Sequence, residues 1–242
     1  MNRHNLTAQE LIAKTQGYEG IQAGIVDLHT VLDGPSYRAA DQESWQDDHD
    51  EKAVCWLPGA RSLLVLAMHH PPDQPQLDWF ERGNTAGNRR LQQISGELAT
   101  WLLRAHRVHA QPLPYQLEMG GVFLKDAAVM AGLGVIGKNN LLLHPQWGPS
   151  LRLRAVLIQD KLPPTTPLSD FNPCQGCDEP CLSACPQEAF GAGRYRRASC
   201  MPRLDQDRDN SVDSGRTNKK GRPIMITKWC RRCELACIAG EY

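Results

Sequence analysis

The sequence of 242 residues contains no hydrophobic run long enough to cross a membrane, since a spanning helix needs roughly 18 or more apolar residues. Its first residues, MNRHNLTAQELIAK, are polar and lack the apolar segment of a secretory signal. Neither charge is in excess, because 27 Lys and Arg balance 27 Asp and Glu. These absences argue against a membrane protein and against a basic surface covering the whole chain. We therefore expect a soluble, cytoplasmic protein.

The charge balance conceals an asymmetry between the two parts of the chain. Residues 186–242 contain 12 Lys or Arg and 7 Asp or Glu, a net charge of +5, so the rest of the chain carries 15 and 20, a net of −5. Such asymmetry is typical either of a solvated surface or of a docking face.

Hydrophobic patterns in the first part of the chain predict an α/β fold. A helix is expected over 7–16 with Thr7 as its N-cap, and a buried central strand over the apolar run 60–68. Leucines and isoleucine at helical spacing predict a long helix over 88–107. The remaining predictions are strands over 20–28, 108–115 and 151–159, a helix over 121–130, and irregular structure over 32–53.

A segment rich in Pro, Ser and Thr, 161–173, reads as a linker. It predicts an α/β domain over 1–165 and a smaller domain over 166–242. The smaller domain is poor in apolar residues, so bound metal clusters would supply stability that its core lacks.

Nine cysteines are many for a chain expected in a reducing compartment, where clustered thiols indicate metal ligation or redox chemistry. Eight of them follow the linker: Cys174, Cys177, Cys181, Cys185, Cys200, Cys230, Cys233 and Cys237. Eight thiolates suffice for two Cys₄ iron–sulfur clusters. The alternative is zinc held in tetrahedral Cys₄ sites.

The proline after Cys185 favours iron–sulfur clusters, because Cys-x3-Cys-Pro is typical of ferredoxin loops. In two-cluster ferredoxins the cysteine before the proline ligates the other cluster. One cluster would then take Cys174, Cys177, Cys181 and Cys237, and the other Cys185, Cys200, Cys230 and Cys233. The loop has one residue more between Cys177 and Cys181 than the bacterial pattern. Cys55, outside this group, is expected to be a buried apolar residue.

A glycine-rich loop with Gly132, Gly134 and Gly137 matches G-x-G-x-x-G. A dinucleotide site needs that loop between a strand and a helix, whereas here a helix-like stretch precedes it. The glycines still indicate close backbone approach or positive φ. Lys138 and Asn139 follow and could bind an anionic or amide-bearing ligand, so these five residues are candidate cofactor contacts.

The runs AVMAGLGVIGKNNLL and RLRAVLIQD, followed by the first cysteine motif, RRASC and CxxCxxxC, resemble the epoxyqueuosine reductase family. The resemblance implies an N-terminal α/β domain like that of nitroreductases and of a cobalamin-processing chaperone, and a C-terminal ferredoxin-like domain with two [4Fe–4S] clusters. It also implies cobalamin as a cofactor and a flavodoxin or ferredoxin as the low-potential electron donor. The implied substrate is a queuosine precursor in tRNA, or else a small molecule.

The same resemblance implies an oxidoreductase and a catalytic acid. The position that matches the proton-donating carboxylic acid of the family is Glu118. Two alternatives are an electron-transfer or corrinoid-reactivating protein without a substrate of its own, and a zinc-stabilised protein that uses its basic C-terminal segment on RNA. His69, His70 and His144 are either structural or cofactor contacts.

Overall fold

The computed structural model describes residues 6–42 and 53–240, which form two compact units. The first unit comprises the chain up to His69 together with Leu91–Val135 and Arg152–Phe171. The second comprises His70–Arg90, Ile136–Leu151 and the chain from Asn172 onward. Among the described residues, no helix is both long and apolar enough to span a bilayer.

The first unit is built on a four-stranded sheet in the order β1-β2-β8-β5. Its strands are β1 (Ile21–Asp27), β2 (Ser62–His69), β5 (Ala110–Pro112) and β8 (Leu151–Ile158). β1 pairs antiparallel with β2, with Ile21 opposite Met68, and β5 pairs antiparallel with β8. Every β2 residue except its last is buried, which confirms the predicted central strand.

The helices of this unit are α1 (Ala8–Gln16), α2 (Leu28–Leu32), α3 (Pro35–Gln42), α4 (Ala86–Trp101, which belongs to this unit from Leu91 onward) and α5 (Leu124–Met130). The Thr7 side chain caps α1 by accepting a hydrogen bond from the Glu10 N–H at 3.1 Å, as predicted. A π-helical turn, Leu102–His106, continues α4 and ends at Arg107, whose φ is 60°. The prediction of irregular structure over 32–53 is wrong for α3, and residues 43–52 lie outside the described residues.

The second unit contains short elements and much irregular chain. Its helices are α6 (Pro180–Ser183), α7 (Arg197–Asp209) and α8 (Arg232–Leu235). Its strand pairs are β3 (Phe80–Glu81) with β4 (Asn84–Thr85), and β9 (Val212–Thr217) with β10 (Pro223–Ile226). A further two-stranded pair joins β6 (Val135–Ile136) to β7 (Leu142–Leu143).

The structure divides the chain in more than one place, and the division into domains over 1–165 and 166–242 stays a prediction. Two earlier segments, 70–90 and 136–151, belong to the second unit as well. Backbone hydrogen bonds explain the first of these, because Phe80 and Thr227 exchange N–H···O bonds of 3.0 and 2.9 Å. The second is held at the cysteines, where the Lys138 N–H approaches Cys174 Sγ at 3.5 Å. Pairings between residues so distant in sequence leave no local signal.

Candidate metal centre

Four cysteines of the second unit line one shallow pocket. They are Cys174, Cys177, Cys181 and Cys237, and Lys138, Asn139 and Glu179 line the same pocket. Burial raises the pKa of the Cys181 and Cys237 thiols, and their mutual charge effects and those of Cys174 and Cys177 raise it further. The four sulfur atoms therefore lie within electrostatic range of one another.

The extra residue between Cys177 and Cys181 is absorbed by a left-handed residue. Glu179 has φ 58° and directly precedes α6, whose first residue is Pro180. Proline suits the first helical position, where no N–H donor is needed. The chain thus turns at once into α6, which carries Cys181 into a buried position with 6% of its surface exposed.

Backbone N–H groups point at several of the sulfur atoms. Cys174 Sγ accepts from Lys138 at 3.5 Å, Cys177 Sγ from Glu179 at 3.4 Å, and Cys185 Sγ from Ala189 at 3.4 Å. Such hydrogen bonds stabilise thiolates and are one of the factors that set the potential of an iron–sulfur cluster.

The other four cysteines, Cys185, Cys200, Cys230 and Cys233, are linked through their charges and through Tyr195. Burial, followed by the charges of Cys230 and Cys185, raises the pKa of Cys233 to about 11. Tyr195 hydrogen-bonds to Cys200 and also feels the charge of Cys233. Burial and then the Cys200 contact raise the pKa of Tyr195 to about 12, so its hydroxyl stays protonated and donates to the sulfur.

The described residues offer no group of three or more His, Cys, Asp or Glu side chains close enough together to hold a single metal ion. A zinc ion would need four sulfur atoms at about 2.3 Å from one centre.

A chain of buried ionic contacts supports the segment that carries Cys230 and Cys233. Arg231, between these cysteines, lies with its Nη1 2.6 Å from Asp78 Oδ2, and its Nε donates to Glu234 Oε2 at 3.1 Å. Asp78 Oδ1 lies 2.9 Å from His70 Nδ1, and His70 is fully buried. Four side chains from two distant segments thus hold the peptide around Arg231 in one conformation.

A second buried carboxylate holds Cys230 itself. Asp207 on α7 accepts the Cys230 N–H at 2.7 Å and the Arg203 Nε–H at 2.8 Å. With 6% of its surface exposed, Asp207 needs both donors to offset its desolvation. Sequence reasoning missed Asp207 and Asp78 as supports, because both lie far from Cys230 in the sequence. His70 was expected to be either structural or a cofactor contact, and its contact with Asp78 favours the structural role.

The candidate cofactor residues of the glycine-rich loop are divided between the two units. Gly132 has φ 72°, and a Cβ there would lie 2.3 Å from the Thr166 carbonyl oxygen. That glycine permits close packing against the segment containing Thr165, whose hydroxyl donates to the Ala131 carbonyl at 2.6 Å. Gly134 is buried in the same unit. The loop follows helix α5 and leads into strand β6, the reverse of the order that a dinucleotide site requires.

The rest of that loop lies at the cysteines. A Cβ on Gly137 would lie 2.5 Å from Leu143 Cδ1, so this glycine allows the tight β6–β7 turn. Lys138 pairs through Nζ with Glu179, and this contact raises the Lys138 pKa. Asn139 is buried and hydrogen-bonds to the Cys233 carbonyl at 3.4 Å and to the Cys237 side chain. Lys138 and Asn139 thus contact the cysteines of the candidate metal centre.

Glu118 lies in the first unit, exposed, within the turns that span 116–121. The end of this segment is fixed by Trp56, whose Nε1–H donates to the Gly120 carbonyl at 2.7 Å. The structure therefore places Glu118 at a solvent-accessible position of an anchored loop, which is compatible with proton donation to a bound substrate.

The remaining candidates are structural or exposed. His144 is buried and stacks on Trp147 at 4.4 Å, while its Nδ1 accepts the Gln146 N–H at 3.1 Å, which favours a structural role. Cys55 is exposed, so the prediction of a buried apolar residue is wrong there. The turn that leads into β2 leaves it outside the core.

Comparison with curated proteins finds epoxyqueuosine reductases. The one from Pseudomonas aeruginosa is 34% identical over 193 residues, which cover 75% of this chain and 48% of the relative. The one from Listeria monocytogenes is 31% identical over 119 residues, covering 47% of this chain and 29% of the relative. The chain thus spans about half the length, or less, of the curated relatives it matches. No protein-family model matches it.

Solved structures show the same relationship at the level of the fold. Epoxyqueuosine reductase from Streptococcus thermophilus superposes with a TM-score of 0.64 at 20% identity, over 96% of this chain and 66% of the other. An epoxyqueuosine reductase solved with an epoxyqueuosine-modified tRNA stem loop superposes with a TM-score of 0.65 at 20% identity, over 95% of this chain and 64% of the other. A catabolic reductive dehalogenase gives 0.59 at 16% identity, over 84% of this chain and 30% of the other.

The mixed α/β fold is therefore the one that epoxyqueuosine reductases and reductive dehalogenases share. Within that class, the curated matches show that this chain is similar to epoxyqueuosine reductases, and the resemblance predicted from the sequence is confirmed.

Proposed function

We propose that this chain is an iron–sulfur reductase of the epoxyqueuosine reductase type, in which two [4Fe–4S] clusters pass single electrons towards a corrinoid. The observation that carries the proposal is the grouping of eight cysteines into two sets of four within one unit. Thiolates are soft ligands suited to iron–sulfur clusters, and each set has the number that a cubane cluster requires. The family likeness supports the same assignment.

The residues around the sulfur atoms are suited to hold such clusters. Backbone N–H groups of Lys138, Glu179 and Ala189 donate to sulfur, as does the Tyr195 hydroxyl. Asp207 fixes the Cys230 peptide from the opposite direction. These contacts would keep the cysteine ligands in place as the cluster charge changes by one electron. They would therefore lower the reorganisation energy of electron transfer.

Cobalamin as a cofactor of the first unit rests on the shared fold, since one of the solved reductive dehalogenases with that fold is described in terms of B12-dependent dehalogenation. The chemistry that a bound corrinoid would supply is two-electron reduction at cobalt. Of the five residues predicted to contact a cofactor, Gly132, Lys138 and Asn139 already make internal contacts. These residues would therefore not be the main contacts of a bound corrinoid.

The substrate class we propose is RNA carrying a modified base, by analogy with the relative solved with a tRNA stem loop. In that reaction Glu118 would deliver a proton from its exposed loop, and a flavodoxin or ferredoxin would supply electrons. The domains we propose are an α/β corrinoid-binding part, built on the four-stranded sheet, and a ferredoxin-like part that carries the cysteines.

The contacts of Lys138 with Glu179 and of Asn139 with the Cys233 carbonyl favour a second function, because they leave these side chains less available to a cofactor. If the first unit holds no corrinoid, the cysteine sets would still serve electron transfer or reactivation of a partner's corrinoid. Titration of anaerobically reconstituted protein with cobalamin, followed by absorbance, separates the two: saturable uptake supports the reductase, and its absence with intact clusters overturns that function.

Cysteine substitutions test the metal centre itself. Cys181→Ser removes one buried ligand and should lower iron and labile sulfide to about half of the wild-type content. Cys55→Ser is the matched control, because Cys55 is exposed and lies outside both sets. Equal iron and sulfide contents in the two variants would contradict the assignment of Cys181.

A further inference from the structure

The β9–β10 hairpin with its turn, residues 212–226, together with Lys228 forms a basic stretch of the second unit; we call it the basic hairpin. Residues 212–228 contain five Lys or Arg and one Asp, a net charge of +4. The basic residues are Arg216, Lys219, Lys220, Arg222 and Lys228, and all five are exposed. The metal centre uses none of them.

The turn of the hairpin is ordered by backbone contacts and leaves its cationic side chains in solvent. Asn218 Oδ1 accepts the N–H groups of Lys220 and Arg222 at 2.8 and 3.1 Å. Arg216 pairs with Glu81. Within 6–42 and 53–240, no carboxylate forms an ion pair with Lys219, Lys220 or Arg222. Three cations at the tip are therefore available to an external anion.

The base of the hairpin is anchored. Phe80 and Thr227 exchange backbone hydrogen bonds, and the Ser211 and Thr227 hydroxyls lie 2.7 Å apart. Lys228 sits over the Trp79 ring at 4.5 Å. The anchored base leads from β10 to Cys230 within four residues. A ligand bound along the hairpin would therefore lie on the segment that enters the second cysteine set.

The charged residues of the basic hairpin favour a nucleic acid over a protein as its binding partner. The cores of protein interfaces are depleted in lysine, whereas rows of Lys and Arg on an exposed ribbon are typical of phosphate contacts. We propose that the basic hairpin binds the phosphate backbone of a structured RNA. The choice of RNA rests on the proposed function. The basic hairpin adds to that function the surface that would position the substrate.

The test measures binding of a labelled RNA stem loop to the full, cluster-loaded chain by fluorescence anisotropy at several salt concentrations. The variant K219Q/K220Q/R222Q removes the three tip cations, whose side chains take no part in the fold. Its binding should weaken at least about tenfold at 0.1 M salt, and the slope of log K against log salt should fall by about three, one for each phosphate contact.

The matched control is R90Q/R104Q/K161Q, which makes the same change in net charge at exposed positions elsewhere. It should bind RNA as the wild type does. Equal weakening in the two variants, or none in either, would overturn the assignment, as would a wild-type chain that ignores RNA but binds an acidic flavodoxin through the hairpin. These results do not depend on cobalamin uptake, which is measured separately, so failure of the reductase proposal would leave a positive binding result intact.

Discussion

Replacing Arg231 with methionine should destabilise the second unit strongly, because Arg231 joins two buried carboxylates. The side chains of Asp78 and Glu234 are only 8% and 6% exposed, and that of Arg231 is 12% exposed. Removing one partner of a buried ion pair leaves uncompensated charge and costs about 3–5 kcal/mol. Methionine keeps most of the side-chain volume, so the loss of charge and hydrogen bonds dominates the change.

The assay is hydrogen-exchange mass spectrometry across a urea series, read on peptides from 200–240. Peptide-level data are needed because a chain with two units can unfold in more than one step. The matched control is Arg208→Met, which breaks an exposed pair with Asp205 at 3.2 Å and should cost no more than about 0.5 kcal/mol. Shifts of equal size in the two variants would refute the reasoning.

Two further predictions concern helix α4 and the cysteine thiols. Gly96→Ala should raise the unfolding free energy by about 0.5–1 kcal/mol through helix propensity, since a Cβ there meets nothing within 4 Å. Gly87→Ala should lower the unfolding free energy by about 1–3 kcal/mol, since a Cβ there would lie 2.1 Å from the His70 ring. Shifts of the urea midpoint in the same direction for both variants would contradict this. In reduced, metal-free protein, iodoacetamide should modify exposed Cys55 well before Cys233 at neutral pH. The rate at which iodoacetamide modifies Cys233 should keep rising towards pH 11, because the raised pKa of this thiol delays thiolate formation. Equal modification rates of Cys55 and Cys233 at neutral pH would contradict this prediction.

The strongly patterned elements could be predicted from the sequence. The apolar run of β2, the capped helix α1 and the heptad-like leucines of α4 each carry a local signal that tertiary structure did not override. Helix α3 was missed because its sequence, PSYRAADQ, is polar and short. Its first turn is instead stabilised from a distance, where Asp126 Oδ2 accepts the Ser36 N–H at 2.9 Å.

The site was predictable where residue type alone defines the chemistry. The eight cysteines were visible as ligands, and the structure brings them together in two sets. Their supports were not visible, because Asp78 lies more than 120 residues before Cys230 in the sequence. Lys138 and Asn139 were singled out as functional candidates by their position after the glycines, and in the structure they contact cysteines. Their role as cofactor contacts stays a prediction.

The measurement that tests the central claim most directly is the iron and acid-labile sulfide content of the full chain, purified without oxygen. Two [4Fe–4S] clusters predict about eight iron atoms and about eight sulfide ions per chain, with charge-transfer absorbance near 400 nm. A colourless protein that contains zinc and no labile sulfide would contradict the account.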